Sequence, residues 1–212
     1  CYFPSGRTLS FSDGNSRDNY RMGLSCYLAM RYPDMVIPPV SVARGFEGDS
    51  CFRFMCNLRD VLWTRDYFKE EEKKQAAANG SGESGAAEGG EHAKADEGNV
   101  MVLNAAQWNI AHGKSGGGMA CKGGHNGEPH NHNDVGSFLY MLGDEMLLTD
   151  LGAGEYTRQY FGPERYQILC NNSFGHSVPI LDGEGQKDGA EYGSSSFEAD
   201  GRGGCEIHFA GA

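Results

Sequence analysis

Between residues 69 and 98 the chain reads KEEEKKQAAANGSGESGAAEGGEHAKADEG, with almost no large apolar side chain. Such a stretch cannot bury enough surface to offset the entropy of ordering it, and it is expected as a flexible linker or loop insertion. His92 lies inside it and reads as solvated. Two segments with different hydrophobic rhythms remain, 1–68 and 99–212, and the fold must be built from these.

The first segment reads as helical. In SRDNYRMGLSCYLAMRYPD, Tyr20, Leu24, Tyr27 and Leu28 recur at three- and four-residue spacings. Asp13 and Ser16 offer N-caps, and Pro33 stops the helix. A second helix fits GDSCFRFMCNLRDVLWTRDYF, with Phe52, Met55, Leu58, Leu62 and Trp63 on one side. Two such helices cannot enclose a core by themselves. From residue 99 the period changes. NVMVLNA, QWNIAH, MACKGG, GSFLYML, EMLLTDLG, SVPILDG and CEIHFAGA are short apolar or alternating runs set off by Gly, Asn and Asp. YMLGDEMLL predicts a hairpin turning at Gly143-Asp144. Helices followed by runs of strands predict an α+β chain with an antiparallel sheet or sandwich.

The net charge of −11 argues against general nucleic-acid binding, which needs a basic face. No stretch is long and apolar enough to span a bilayer. The seven cysteines, at 1, 26, 51, 56, 121, 170 and 205, form no CxxC pair, and their odd count suits free thiols in a reducing compartment. The chain begins at Cys1 and stops in what reads as mid-strand, which suggests a piece of a longer protein.

One tempting motif fails: a phosphate loop ending in Gly113-Lys114-Ser115 would need glycine at 108, where Trp108 stands. The segment GGHNGEPHNHNDVGSF, 123–138, is more informative. On an extended chain His130 and His132 would share one face. They could converge on a metal, divide binding from catalysis, or belong to a solvated loop. Downstream, Asp150 closes the apolar run EMLLTDLG and His176 precedes another apolar run. His132, Asp150 and His176 would be an O/N donor set suited to zinc. Each taken alone has an ordinary structural explanation.

The ordered series KGGHNGEPHNHNDVGSFLYMLGDEMLLTDLGAGEYTRQYF, then RYQILCNNSFGHSVPILDGEGQ, resembles the heparinase II/III family of polysaccharide lyases. The resemblance covers roughly residues 99–190. SFSDGNSRDNY is similar, more weakly, to the close of that family's helical domain, with the usual G-D-S replaced. The family fold is an incomplete (α/α) toroid followed by antiparallel β-sheets, so the resemblance implies that 1–68 ends a toroid and 99–212 begins a β-sandwich. It further implies that His130 is the histidine of the lyase centre and that His132, Asp150 and His176 hold a structural zinc. His125, Asn131 and Arg165 are candidate substrate contacts, and Tyr156, Tyr160 and Tyr166 could line the sugar cleft. The family's catalytic tyrosine and its asparagine or histidine partner would precede Cys1; Tyr2 lies too close to the final helices to replace the tyrosine. The low-complexity insert is not a family feature.

The implied reaction is β-elimination on an acidic, uronate-containing polysaccharide. The C5 proton is removed, the C4–oxygen bond breaks, and the uronate charge must be neutralised. The alternatives are a metal-dependent hydrolase or cupin-type enzyme, and a non-catalytic carbohydrate-binding β-sandwich.

Overall fold

The computed structural model describes residues 3, 7–16, 20–32, 35, 37, 54–80, 99–113, 116–143 and 145–210. By contact the chain forms two compact units, Asn19–Lys94, and Cys1–Asp18 together with Ala95–Ala212. The architecture is α+β, with two helices followed by antiparallel sheets. Tyr2, Pro33, Phe52 and His92 lie outside the described residues.

The first unit carries α1 (Met22–Ala29) and α2 (Phe54–Gly80). The helices meet at Gly23, where a β-carbon would fall 2.3 Å from the Asp60 carbonyl oxygen. Asp60 is buried and accepts a hydrogen bond from the Gly23 amide at 2.6 Å. This close approach sets the buried face of α1 as Met22, Gly23, Ser25 and Cys26. It leaves Leu24 exposed, unlike the stripe the spacing predicts. The N-cap is Arg21, with no side-chain capping bond, so neither Asp13 nor Ser16 caps this helix. On α2, Met55, Leu58 and Leu62 are exposed, as expected of helices that enclose no core of their own. Helix α2 continues to Gly80, well into the segment expected as a linker. Its Glu, Lys, Gln and Ala residues are strong helix formers. Glu70–Lys73 and Glu71–Lys74 pairs, each 2.7 Å, span single turns. No helix among the described residues is long and apolar enough to cross a membrane.

The second unit contains two antiparallel sheets. In chain order the strands are β1 (Val100–Leu103), β2 (Trp108–His112), β3 (Gly118–Lys122), β4 (His125–Asn126), β5 (Phe138–Leu142), β6 (Glu145–Leu148), β7 (Gly189–Ala199) and β8 (Cys205–Ala210). One sheet runs β1-β2-β3-β5-β6 and the other β4-β7-β8. The β5–β6 hairpin closes with Leu142 opposite Glu145, as predicted, with Gly143 at φ +59°; Asp144 lies outside the described residues. SVPILDG forms no ladder, only an isolated Leu181–Glu184 bridge around a left-handed Asp182-Gly183 turn. Pro179 has no amide to offer a neighbouring strand.

The core lies on one face of the five-stranded sheet. Ile110, Ala120 and Leu139 are register partners across β2, β3 and β5, so alternation stacks them on that face with Met141. Phe3, Leu9 and Phe11 from the N-terminal segment complete this core. A β-carbon at Gly118 would fall 2.5 Å from the Phe3 ring, so glycine there lets the ring lie against the strand. The N-terminal residues, expected within the helical segment 1–68, thus pack with the strand unit. They carry the Asp13 carboxylate to the histidine segment.

Candidate functional site

The histidine segment is a loop between β4 and β5, not a strand. His130 adopts a left-handed backbone, φ +58°, so the expected sharing of one strand face does not apply. The two rings separate instead: His130 has a side chain 75% exposed, while His132 is fully buried. They meet again through Asp13. The Asp13 Oδ2 lies 3.1 Å from His130 Nδ1, and its Oδ1 lies 3.7 Å from His132 Nε2.

Asp13 is brought there by a buried ionic anchor. Lys122, at the end of β3, donates from Nζ to Asp134 Oδ1 and to Ser12 Oγ, each at 2.8 Å. Ser12 in turn donates to Asp134 Oδ2 from its amide at 3.0 Å and its hydroxyl at 2.8 Å. Both Lys122 and Asp134 are buried, so each charge depends on the other. This anchor fixes the turn whose next residue is Asp13.

Two tyrosines complete the shell around Asp13. Tyr160 donates to Oδ1 at 2.5 Å, and the Tyr156 hydroxyl donates to Oδ2. Burial alone would raise the Asp13 pKa, but bonds from Tyr156, Tyr160 and His130 outweigh it and hold the carboxyl below its ordinary value. Burial first, and then the bond to Asp13, push the Tyr160 phenol well above its usual range. Asp13 is thus an anion and Tyr160 a neutral donor at neutral pH.

These charges determine the proton positions behind them. The Tyr160 hydroxyl gives its hydrogen to Asp13, so at 2.8 Å it accepts from His132 Nε2–H. The His132 lone pair then sits on Nδ1, which is buried and has no hydrogen-bond partner. His176 donates from Nδ1 to Asp150 Oδ2 at 2.6 Å, and its Nε2 is again buried and unpartnered. The two rings lie 5.2 Å apart. Burial, followed by the charge of His176, lowers the His132 pKa to about 4, so its ring is neutral at pH 7. The His132 Nδ1 lone pair, buried without a donor beside a His176 Nε2 that also lacks a partner, fits an electron-pair acceptor such as a zinc-type cation.

Asp150 also accepts from Ser137 Oγ at 3.2 Å and from the Gly152 amide at 2.7 Å. Asp134, Asp150 and His176 each offer a ligand atom within 4.8 Å of the other two. His132 is not in that closest group. Asp134, however, already takes three hydrogen bonds from Lys122 and Ser12, so a cation there would compete with a resident ammonium. His132 Nδ1, in contrast, is a buried nitrogen with no hydrogen-bond partner.

The candidate substrate contacts are dispersed. Arg165 donates to the Asn131 carbonyl at 2.8 Å and braces the loop from behind. Asn131 is buried, and its amide nitrogen bonds the carbonyls of Asn126 and His132. His125 lies on β4, in the other sheet, where its Nδ1 accepts from the Gly127 amide at 3.1 Å. It lines a cavity of about 290 Å³ together with Gln107, Glu128, Glu191 and Ser194. Tyr166 faces the Arg165 guanidinium, with the charge 5.1 Å from its ring centre.

Asp13, Ser12, Lys122 and Asp134 do not emerge as site residues from the sequence. One signal was present: Lys122 is an ionisable residue closing an apolar strand, which calls for a buried partner. No family model matches the chain, and no curated protein does.

Proposed function

We propose that the protein is a polysaccharide lyase that cleaves uronate-containing acidic polysaccharide by β-elimination. In this reading α1 and α2 belong to the end of an (α/α) toroid and the two sheets to a β-sandwich. The observation that carries it is one exposed imidazole, His130, held by one oxygen of Asp13 whose other oxygen faces the buried His132 ring. A polymer can reach His130 from solvent; it cannot reach His132, Asp150 or His176, whose side chains are fully buried.

That contrast supports a division of roles. His132, Asp150 and His176 would hold a zinc-type cation, which supplies a structural cross-link between the loop, the end of β6 and the segment after Gly175. A catalytic zinc keeps an open position for water or substrate, whereas a closed, buried set suits a structural one. This disfavours the hydrolase and cupin-type alternatives. His130 acts on the sugar, as the base that takes the C5 proton or as the group that polarises the uronate carboxylate. Arg165 holds the Asn131 carbonyl and so fixes the loop between the two histidines. The ordered motif series supports the same division.

The test is His130→Ala in the intact protein, incubated with heparan sulfate and with alginate. Unsaturated uronate products absorb in the far ultraviolet. Product formation should fall to background while the protein stays folded. Wild-type product formation by the variant would refute the assignment of His130.

A further inference from the structure

The Asp13 carboxylate receives two tyrosine hydroxyls and one imidazole, and it comes from a segment far from the histidine loop in sequence. We infer that Asp13 is a positioning residue for His130. It holds the ring through Nδ1–H, so the neutral ring takes the Nδ1–H tautomer and Nε2 is the nitrogen left free of Asp13.

Three observations carry this. A carboxylate is only an acceptor, so the 3.1 Å contact between His130 Nδ1 and Asp13 Oδ2 places the hydrogen on Nδ1. The bare nitrogen of the neutral ring is then Nε2, on a side chain 75% exposed. Imidazole side chains in water prefer the opposite tautomer, so this one must be imposed. Second, the imposing group is itself fixed. Tyr156 and Tyr160 both donate to Asp13, and the Lys122–Asp134–Ser12 anchor holds the adjoining turn. Third, His130 is one of four non-glycine residues with a left-handed backbone among the described residues. Such a conformation is disfavoured for a residue with a side chain and persists only when its surroundings impose it. The tautomer stands on geometry alone; its use in removing a proton from the sugar rests on the lyase reading.

The experiment uses the intact protein labelled with ¹⁵N-histidine. Two-dimensional spectra are taken at a pH where the imidazoles are neutral, and His130→Gln identifies the His130 signals. The wild type should show His130 protonated at Nδ1. Asp13→Asn should shift the ring toward the Nε2–H form, and Asp13→Glu should partly restore the wild-type pattern. With heparan sulfate and alginate, Asp13→Asn should lower kcat about 10- to 100-fold with KM little changed. A role confined to stability would alter melting and leave the tautomer in place. A wild-type His130 signal protonated at Nε2 overturns the inference, as does an Asp13→Asn variant with unchanged tautomer and kcat. If neither polysaccharide is cleaved by the wild type, the lyase reading fails for these substrates, and the tautomer measurement still decides the positioning claim.

Discussion

Replacing Lys122 by methionine isolates the anchor beneath the site. Methionine keeps most of the length and apolar stem of lysine but removes the ammonium. The Lys122 and Asp134 side chains are 4% and 1% exposed, and their charged atoms are 2.8 Å apart. Without Lys122, Asp134 keeps only the Ser12 amide and hydroxyl as donors, and a buried carboxylate is left without a countercharge. Breaking a buried pair from one side costs about 3–5 kcal/mol, a large part of a typical total of about 5–15 kcal/mol. Urea unfolding at pH 7 reads this loss through Trp108, which packs against the core, in a Trp63→Phe background. Lys122→Met together with Asp134→Asn should be less destabilised than the two single changes summed, because the double variant leaves no isolated charge. Added zinc should not rescue Lys122→Met, since the lysine ammonium and not a metal ion neutralises Asp134. A loss under about 1 kcal/mol in the single variant, or full rescue by zinc, would refute this account of the anchor.

The buried His132 makes the metal-free protein sensitive to acid. Its folded pKa is about 4 against an ordinary 6.5, so between these values the unfolded chain binds the proton more readily. Stability is therefore full above about pH 6.5 and falls as pH drops toward 4, by up to about 3 kcal/mol. Chemical denaturation of chelator-treated protein at pH 7 and pH 4.5 should show this loss, and it should shrink in His132→Asn. Gly118→Ala should displace Phe3 from the sheet and cost about 1–3 kcal/mol, seen as a lowered melting temperature; an unchanged melting temperature would show that the Phe3 ring yields freely.

Much of the five-stranded sheet was legible because its strands alternate and glycine marks their ends. In β5 the buried residues are Leu139 and Met141, and Phe138, Tyr140 and Leu142 lie outward. Strand β7 escaped because GAEYGSSSFEA is mostly small and polar, and β4 because two residues carry no pattern. The extension of α2 is not legible from hydrophobic pattern because its residues past 68 carry almost no large apolar side chain. Propensity and charge pairing sustain a helix as far as Gly80 without them. At the site, Asp150 and His176 were legible as strand-end polar residues and do meet at 2.6 Å. The assumed strand geometry of His130-Asn131-His132 was not, because the left-handed turn at His130 has no local glycine signal. Asp13 looked like a helix cap because its true partners are more than a hundred residues away in sequence.

The division of labour between His130 and His132 is tested most directly by metal stoichiometry. The intact wild type, His130→Ala and His132→Ala would each be loaded with zinc, dialysed exhaustively and analysed for zinc per chain. Wild type and His130→Ala should retain the same amount, and His132→Ala should retain little or none. Full retention by His132→Ala, with loss on Asp134→Asn instead, would contradict the assignment and move the cation to the Asp134, Asp150 and His176 group.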